Sequence, residues 1–330
     1  MMVVSDSSED TNTNATVSAS GRNSWRLYLY LAPLVLVPIL IVVAAILIVP
    51  TDWFAMHSRN PFLVTLGYGA KLYNADCQIV VYGDSTAMIG LDPGLIRQRT
   101  GLNTCNIAET EGMTMLNGTM VLDQYLEHNP RPRFLVFMYS PEALDPQSQR
   151  KNPAVTTFEA VTFRFRQPDK LESFFALMKH PDDVLSWATH GVRIAMNGVF
   201  AKPLPPETRL LRFKSFGQSA LNDHNMIGCN YPHQNYPPNK PWVNSLRSKY
   251  SSMGITVIVD SVLLPECDPD IDFFRQELAG VTDNPIDTLP VADYYNGGRH
   301  VNPAGTTPLS IMVANQIASR IGGSAMTAIH

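Results

Sequence analysis

Three apolar runs limit what this chain can fold into. They lie at residues 78–82, 133–139 and 254–260, and none alternates regularly between apolar and polar side chains. Alternation is expected of a strand with one face in water, whereas a strand buried on both faces reads as a continuous apolar run. We therefore predict an α/β domain with a central parallel sheet.

Helical segments separate these runs. We predict a short extra strand at 104–108. The predicted helices cover residues 60–72, 93–99, 117–127, 242–253, 273–278 and 307–321. Residues 145–241 are less regular, with helical patterns at 169–178 and 182–195, and we interpret them as an insertion over one edge of the sheet. The domain as a whole is predicted to cover residues 55–330.

An uncharged apolar segment precedes this domain. Residues 27–49 contain no Asp, Glu, Lys or Arg, and the segment is long enough to cross a bilayer as a helix. Arg22 and Arg26 lie before it and Asp52 follows it. The positive-inside rule therefore predicts that residues 1–24, a polar and disordered tail, are cytoplasmic and that the domain lies outside. The alternative is a cleaved signal peptide, which would export the same domain.

The four cysteines suit an exported domain with two disulfides. Cys77 precedes the first strand and Cys105 lies in the short second strand. If these strands are neighbours, a Cys77–Cys105 bond closes easily and leaves Cys229 with Cys267. Two other pairings are open, and four buried thiols are the alternative to any disulfide.

Composition and missing motifs exclude several classes of protein. The net charge of −4 gives no reason to expect binding to nucleic acid. The cysteine spacing does not resemble a zinc site, and the chain has neither a Gly-rich phosphate loop nor a His-Glu-x-x-His motif. We expect no metal, no cofactor and no nucleic-acid partner.

A candidate nucleophile follows the first strand. Gly83-Asp84-Ser85-Thr86 places Ser85 on a tight strand-to-helix turn, where its hydroxyl can point into a cleft and its own N–H is free to donate. Asp84 is expected to hold this turn through hydrogen bonds, and Asn106 either to align it or to end the second strand. The alternative for Ser85 is a turn residue that caps the next helix. No Gly-x-Ser-x-Gly motif surrounds it, which counts against an ordinary α/β-hydrolase elbow.

A candidate base lies just before the last predicted helix. His300 stands in the loop Arg299-His300-Val301-Asn302, and a serine nucleophile needs such a base within reach and a further group to orient it. Asp293 and Asn296, just upstream, are the candidates for that role. The alternatives are a surface histidine and two plain loop residues.

These motifs resemble those of the SGNH, or GDSL-type, hydrolase superfamily. Gly-Asp-Ser after an early strand and His-x-Asn-x-x-Gly before the last helix form that pattern, over about residues 75–145 and 250–320. Tyr-Gly-Asp-Ser-Thr, Asn-Ile-Ala and Tyr-Ser-Pro-Glu look like the membrane-anchored extracytoplasmic branch, which handles acyl esters of cell-surface polymers. The resemblance implies a flavodoxin-like fold, Ser85 as nucleophile and His300 as base. It also implies that the N–H groups of Ser85 and Gly112 serve as oxyanion donors.

Two positions depart from the family's pattern. The family usually has an aspartate three residues before the histidine, where this chain has Gly297, so Asn296 or Asp293 would have to orient His300. An asparagine orients a histidine without stabilising the imidazolium by charge. The family's third block normally adds an asparagine to the oxyanion hole, and Ser140-Pro141-Glu142 has none.

The expected function is that of a serine esterase or O-acyltransferase, anchored to the inner membrane of a bacterium with its domain in the periplasm. Its expected substrates are acyl esters, foremost acetyl esters, of cell-envelope glycans, and its candidate partners are a membrane acyltransferase or a polysaccharide synthase. One alternative is a catalytically degenerate relative that binds polysaccharide or scaffolds an envelope complex. Another is an anion-binding module of the same fold.

Overall fold

The computed structural model describes residues 24–145, 157–179, 181–219, 223–226, 228, 235–296 and 299–327. Residues 1–23 of the predicted tail and parts of the predicted insertion lie outside these ranges. The strands are β1 (Ile79–Gly83), β2 (Thr104–Asn106), β3 (Phe134–Tyr139), β4 (Thr256–Ser261), β5 (Leu264–Pro265) and β6 (Thr288–Leu289).

Helices lie before, between and after these strands. Before β2 they are α1 (Ser24–Ile48), α2 (Asp52–His57), α3 (Pro61–Thr65), α4 (Ser85–Gly90) and α5 (Pro93–Thr100). Between β2 and β4 they are α6 (Glu111–Asn117), α7 (Met120–His128), α8 (Thr157–Arg166), α9 (Lys170–Leu177), α10 (Pro181–Gly198), α11 (Leu211–Lys214) and α12 (Lys240–Ser251). After β4 they are α13 (Ile271–Glu277) and α14 (Pro303–Thr327).

The central sheet is parallel, as predicted. Its order is β2-β1-β3-β4, with Val80 paired to Cys105 on one side and to Leu135 on the other. Leu135 in turn pairs with Val257 of β4. β5 and β6 form a separate parallel pair. The protein is therefore a mixed α/β structure.

Both faces of the sheet are covered, which explains the continuous apolar runs. Val80 and Tyr82 face one hydrophobic cluster, which includes residues of α7 and α12, whereas Ile79 and Val81 face another, which includes residues of α4, α5 and α14. Successive side chains of a strand point to opposite faces, so every side chain of a strand that is covered on both faces lies in a hydrophobic environment.

Several predicted helix boundaries were wrong. The helix expected over 60–72 ends at Thr65, because Leu66 is extended and Gly67 has a φ of 67°. The helix expected over 117–127 is divided, because Gly118 has a φ of 54° and ends α6 before α7 begins at Met120. The last helix begins at Pro303 rather than at 307, since Asn302 caps its first turn with a side-chain hydrogen bond to the Ala304 N–H (2.9 Å).

The chain between β3 and β4 reaches the free edge of the sheet. The carbonyl of Phe216, just after α11, accepts a hydrogen bond from the Asn106 N–H of β2 (2.9 Å). An unpaired strand edge can associate with strands of other chains, and this hydrogen bond covers part of the outer edge of β2. Farther away, α10 packs against the end of α1, where Gly191 lies against Val49.

One helix near the N-terminus is long and apolar enough to cross a membrane. Tyr30–Ile48, within α1, has a mean hydropathy of 3.1 and is almost entirely exposed. Only its last turns enter the domain, where Ala45 and then Val49 are buried in the hydrophobic core.

The disulfide between neighbouring strands is present. Cys77 and Cys105 are bonded, with their Cα atoms 5.7 Å apart, because β1 and β2 are adjacent. Cys267 is disulfide-bonded as well. Cys229, the other member of the second predicted pair, lies outside the described residues. The described cysteines are therefore oxidised, as expected of an exported domain.

Candidate active site

The strand-to-helix turn after β1 is built around Gly83 and Asp84. A Cβ atom on Gly83 would lie 1.7 Å from the Met138 carbonyl oxygen of β3, so only glycine fits. Asp84 then caps α4 by accepting a hydrogen bond from the Thr86 N–H (2.9 Å). Ser85 is thereby the first residue of α4, and its own N–H belongs to the turn that has no intrahelical acceptor.

Asp84 also ties this turn to the end of β3. One carboxylate oxygen accepts from the N–H and the hydroxyl of Ser140, both at 2.8 Å, and the other accepts from the Thr86 hydroxyl as well as its N–H. Asp84 is fully buried, and these donors replace its lost water. The predicted structural role of Asp84 matches these contacts.

The loop that carries His300 is fixed by Asn302 and Gly305. Besides capping α14, Asn302 donates through its side-chain amide to the Ala292 carbonyl (2.7 Å). A Cβ atom on Gly305 would lie 2.6 Å from the Asp293 carbonyl oxygen, so the helix can approach only with glycine here. The His-x-Asn-x-x-Gly pattern is thus a packing and capping device around the histidine.

Arg299, which precedes the histidine, anchors the same loop from the other side. Its guanidinium donates to Asp268 (2.8 Å) and to Glu142, just after β3, and all three residues are buried. Opposite charges within one buried cluster hold the backbone beside His300 against the carboxyl end of the sheet.

These two sets of contacts bring Ser85 and His300 together. The Oγ atom of Ser85 lies 2.9 Å from Nε2 of His300, although the residues are 215 positions apart. Burial lowers the pKa of His300 from its ordinary value of 6.5, and the charges of Asp84 and Asp223 oppose that shift. A neutral imidazole protonated on Nδ1 can accept the serine hydroxyl proton at Nε2, as a general base does.

Neither predicted orienting residue is brought to the other ring nitrogen. Among the described residues, none forms a hydrogen bond with Nδ1 of His300. Asp293 ends a short 3-10 helix and contacts the loop through its carbonyl, which accepts from the Asn302 N–H (2.8 Å). Asn296 is exposed, and its N–H donates to the His224 carbonyl (2.7 Å). Both residues shape the backbone near His300, which is a different role from the one expected.

The expected oxyanion donors lie at two helix starts. Ser85 is the first residue of α4 and Gly112 is the buried second residue of α6, so both N–H groups belong to first turns. Beside Gly112, burial and repulsion by Asp84 and Glu142 raise the pKa of Glu111 to about 9. Glu111 is therefore uncharged at neutral pH, and its buried Oε1 has no hydrogen-bond partner.

Asn106 supports the serine-bearing helix. Its buried side chain donates to the Ala87 carbonyl of α4 (2.8 Å) and accepts from the Ala108 N–H (3.1 Å). The asparagine therefore joins the end of β2 to α4, which favours alignment of the serine turn over the plain end of a strand.

A second buried ion pair, between Arg212 and Glu109, was not expected from the sequence. Arg212 donates to Glu109 (3.0 Å) and to the Ala108 carbonyl (2.6 Å), and both ionic side chains are almost fully buried. Charged residues usually lie at the surface, so the amino-acid sequence alone offered no reason to place Arg212 and Glu109 in the protein interior. For the buried cluster of Arg299, Asp268 and Glu142, the one signal in the sequence was that Arg299 directly precedes His300.

A cavity of about 530 Å³ opens next to the histidine loop. Its walls include Tyr295, Val301 and Asn302, which flank His300 in sequence, and Ile89 at the end of α4. Ser85 and His300 do not line it. The cavity therefore offers space beside the Ser85–His300 pair rather than around it.

Comparison of the chain with models of protein families, with curated proteins and with solved structures finds no match.

Proposed function

We propose that this protein is a serine esterase or O-acyltransferase of the SGNH type. The observation that carries the proposal is the 2.9 Å separation of Ser85 Oγ and His300 Nε2 at the carboxyl end of a parallel strand. His300 takes the hydroxyl proton as Ser85 Oγ bonds to the ester carbonyl carbon. The resulting oxyanion collapses, the alcohol leaves with the proton from His300, and an acyl-enzyme remains.

The strand order supports the finer part of this proposal. The order β2-β1-β3-β4 is the start of the flavodoxin-like order 2-1-3-4-5, in which ligands bind beyond the carboxyl ends of the strands. A flavodoxin-like fold is therefore part of the proposal. The Ser85 N–H, with that of Gly112, is the proposed oxyanion hole.

The proposed location is the extracytoplasmic side of a bacterial inner membrane. It is supported by the apolar length of α1, by Arg22 and Arg26 before it and by the Cys77–Cys105 disulfide. Acetyl esters of cell-envelope glycans are the proposed substrates. Water as acceptor gives hydrolysis and a sugar hydroxyl gives transfer, and both begin with the same acyl-enzyme.

A fluorophosphonate probe tests the proposal directly. We expect it to label the wild-type protein and to lose its target in Ser85→Ala, whereas Ser252→Ala, an exposed serine outside the site, keeps full labelling. Hydrolysis of p-nitrophenyl acetate should fall about 10²- to 10⁴-fold in His300→Ala but not in His128→Ala, an exposed histidine. Equal labelling of the wild type and Ser85→Ala would contradict the proposal.

The activity should also rise with pH in a defined window. Only neutral His300 accepts the proton, so kcat/KM increases with pH through the pKa of His300. Because burial lowers that pKa, we expect the midpoint below 6.5. A midpoint above 6.5 in the free enzyme would show that the imidazolium is favoured instead.

A catalytically degenerate relative is the second candidate. It is favoured by one observation, the lack of a hydrogen bond at Nδ1 of His300 among the described residues. Such a protein would bind an acylated polysaccharide equally well before and after Ser85→Ala and would release no acetate. Wild-type turnover that depends on both Ser85 and His300 would exclude it.

A further inference from the structure

A short segment of the predicted insertion runs beside the His300 loop. Within residues 223–226, Asn225 forms an antiparallel bridge with Tyr295. The N–H of Tyr295 in turn donates to the His300 carbonyl (2.9 Å). Three stretches of backbone therefore lie side by side, and the outer one comes from a part of the chain with no motif of its own.

Side chains on two of these stretches share one face. Asn302 donates through its side-chain amide to Asn225 Oδ1 (3.1 Å), so these two side chains lie on the same side. Residues two apart on extended backbone point to the same side. The Asn296 N–H donates to the His224 carbonyl (2.7 Å) and the Met226 N–H donates to the Tyr294 carbonyl (2.8 Å), so residues 224–226 run beside residues 294–296. Asp223, two residues before Asn225, and His300, two residues before Asn302, are therefore expected on this same face.

We propose that Asp223 is the acidic partner of His300, in the role that the family gives to an aspartate three residues before the histidine. This inference rests on the proposed function. Asp223 acts through the imidazole, so it is a positioning residue: its carboxylate stabilises the imidazolium that forms when His300 takes the proton of Ser85.

The charges around His300 single out Asp223. Two carboxylates oppose the effect of burial on the histidine and raise its pKa, with Asp84 the larger and Asp223 the smaller influence. Asp84 is committed to capping α4 and to Ser140, and the neighbouring Arg299 is held by buried carboxylates. Asp223 is the acid that can change without dismantling the serine turn.

Asp223 acts across a gap rather than through a direct bond. It is exposed, and its Oδ1 accepts from the His224 N–H (2.7 Å). A charge that acts from the surface is screened by salt, with a Debye length of about 3 Å at 1 M. This property separates an electrostatic role from a purely structural one.

The test is an NMR titration of His300 in the full-length chain, solubilised in detergent and labelled on histidine, with the resonance identified by its loss in His300→Ala. We expect Asp223→Asn to lower the pKa of His300, Asp223→Glu to restore it, and Asp287→Asn to leave it unchanged. Asp287 is a matched control because it too is exposed and accepts from the N–H of the next residue. High salt should lower the pKa in the wild type and hardly at all in Asp223→Asn.

Activity gives a second readout. In Asp223→Asn, kcat/KM toward p-nitrophenyl acetate should fall about 3- to 10-fold, with its acid limb at lower pH. An unchanged pKa of His300 in Asp223→Asn, or an equal fall in Asp287→Asn, would overturn the inference whatever the activity. A lowered pKa of His300 in a protein that forms no acyl-enzyme would instead support the electrostatic influence of Asp223 and contradict the proposed function.

Discussion

At the scale of single residues, the site is defined by which groups carry charge. Burial lowers the pKa of His300 and raises that of Glu111, so burial favours the neutral form of both groups near the buried carboxylate of Asp84. If Glu111 ionised, it would add a second negative charge beside Asp84. Its protonated state is therefore part of what holds the serine turn at neutral pH.

This state predicts a pH-dependent stability. Folded Glu111 keeps its proton up to a pKa of about 9, whereas the unfolded chain loses it near 4.5. Between these values the folded state binds more protons, so the free energy of unfolding falls as pH rises, by about 1.4 kcal/mol per pH unit from this group. We expect Glu111→Gln to gain stability relative to the wild type between about pH 5 and about pH 8.

Chemical denaturation at several pH values measures this difference. Glu127→Gln, at an exposed position, is the control and should follow the wild type throughout. If the free energy of unfolding of Glu111→Gln and that of the wild type change with pH in the same way, Glu111 is charged in the folded protein.

At the scale of elements, the sequence was informative wherever the physical cause was local. The apolar runs became β1, β3 and β4 because burial on both faces requires them. Gly83 and Gly305 have a cause that is not local, since each is required by a carbonyl oxygen from a distant part of the chain. The motif pattern indicated both positions without revealing that cause.

What the sequence did not reveal are contacts between distant charged residues. The Arg299 cluster joins the His300 loop to residues 31 and 157 positions away, and no periodic pattern encodes such a pairing. Asp223 lies in the region with the weakest pattern. The motif shows Gly297 where the family that the chain resembles has an aspartate, but the proposed substitute, Asp223, comes from another segment and was found only in three dimensions.

The Arg299 cluster predicts a large loss of stability when the charge of Arg299 is removed. Arg299→Gln leaves Glu142 and Asp268 buried without their cation, at a cost of about 3–5 kcal/mol in stability. Arg299→Lys keeps the charge but not the two-pronged geometry, so its cost should be smaller. Labelling of Ser85 by a fluorophosphonate should slow in the same order, because the histidine loop loosens.

The control is Arg275→Gln, which removes a surface ion pair with Asp272 and should change the denaturation midpoint little. If Arg299→Gln unfolds at the same denaturant concentration as the wild type, the cluster does not hold the loop. Both denaturation and labelling can be followed on the full-length protein.

At the scale of the whole molecule, the N-terminal helix is a packed part of the structure. A Cβ atom on Gly191 of α10 would lie 2.4 Å from Val49 Cγ2, just after α1. Ala45 and Val49 are both fully buried, so the end of the apolar helix belongs to the domain core.

This contact predicts a compensating pair of substitutions. Gly191→Ala should lower stability by about 1–3 kcal/mol through overpacking, and Val49→Ala in the same chain should recover part of that loss. Gly322→Ala, in α14, has nothing within 4 Å of the new methyl group and controls for the higher helix propensity of alanine. Thermal unfolding in detergent of the wild type, Gly191→Ala, Val49→Ala, the double variant and Gly322→Ala gives the comparison. Additive losses in the double variant would show that α1 and α10 do not touch.

The short passage from α1 to α2 has a consequence for how the protein would meet its substrate. Only residues 49–51 separate the two helices, and Val49 is itself packed in the core. With α1 in a bilayer, this rigid connection would hold Ser85 at a constant distance from the membrane surface, whereas a flexible linker would let that distance vary. If the substrate is the proposed cell-envelope glycan, only esters held at that distance from the membrane would reach Ser85.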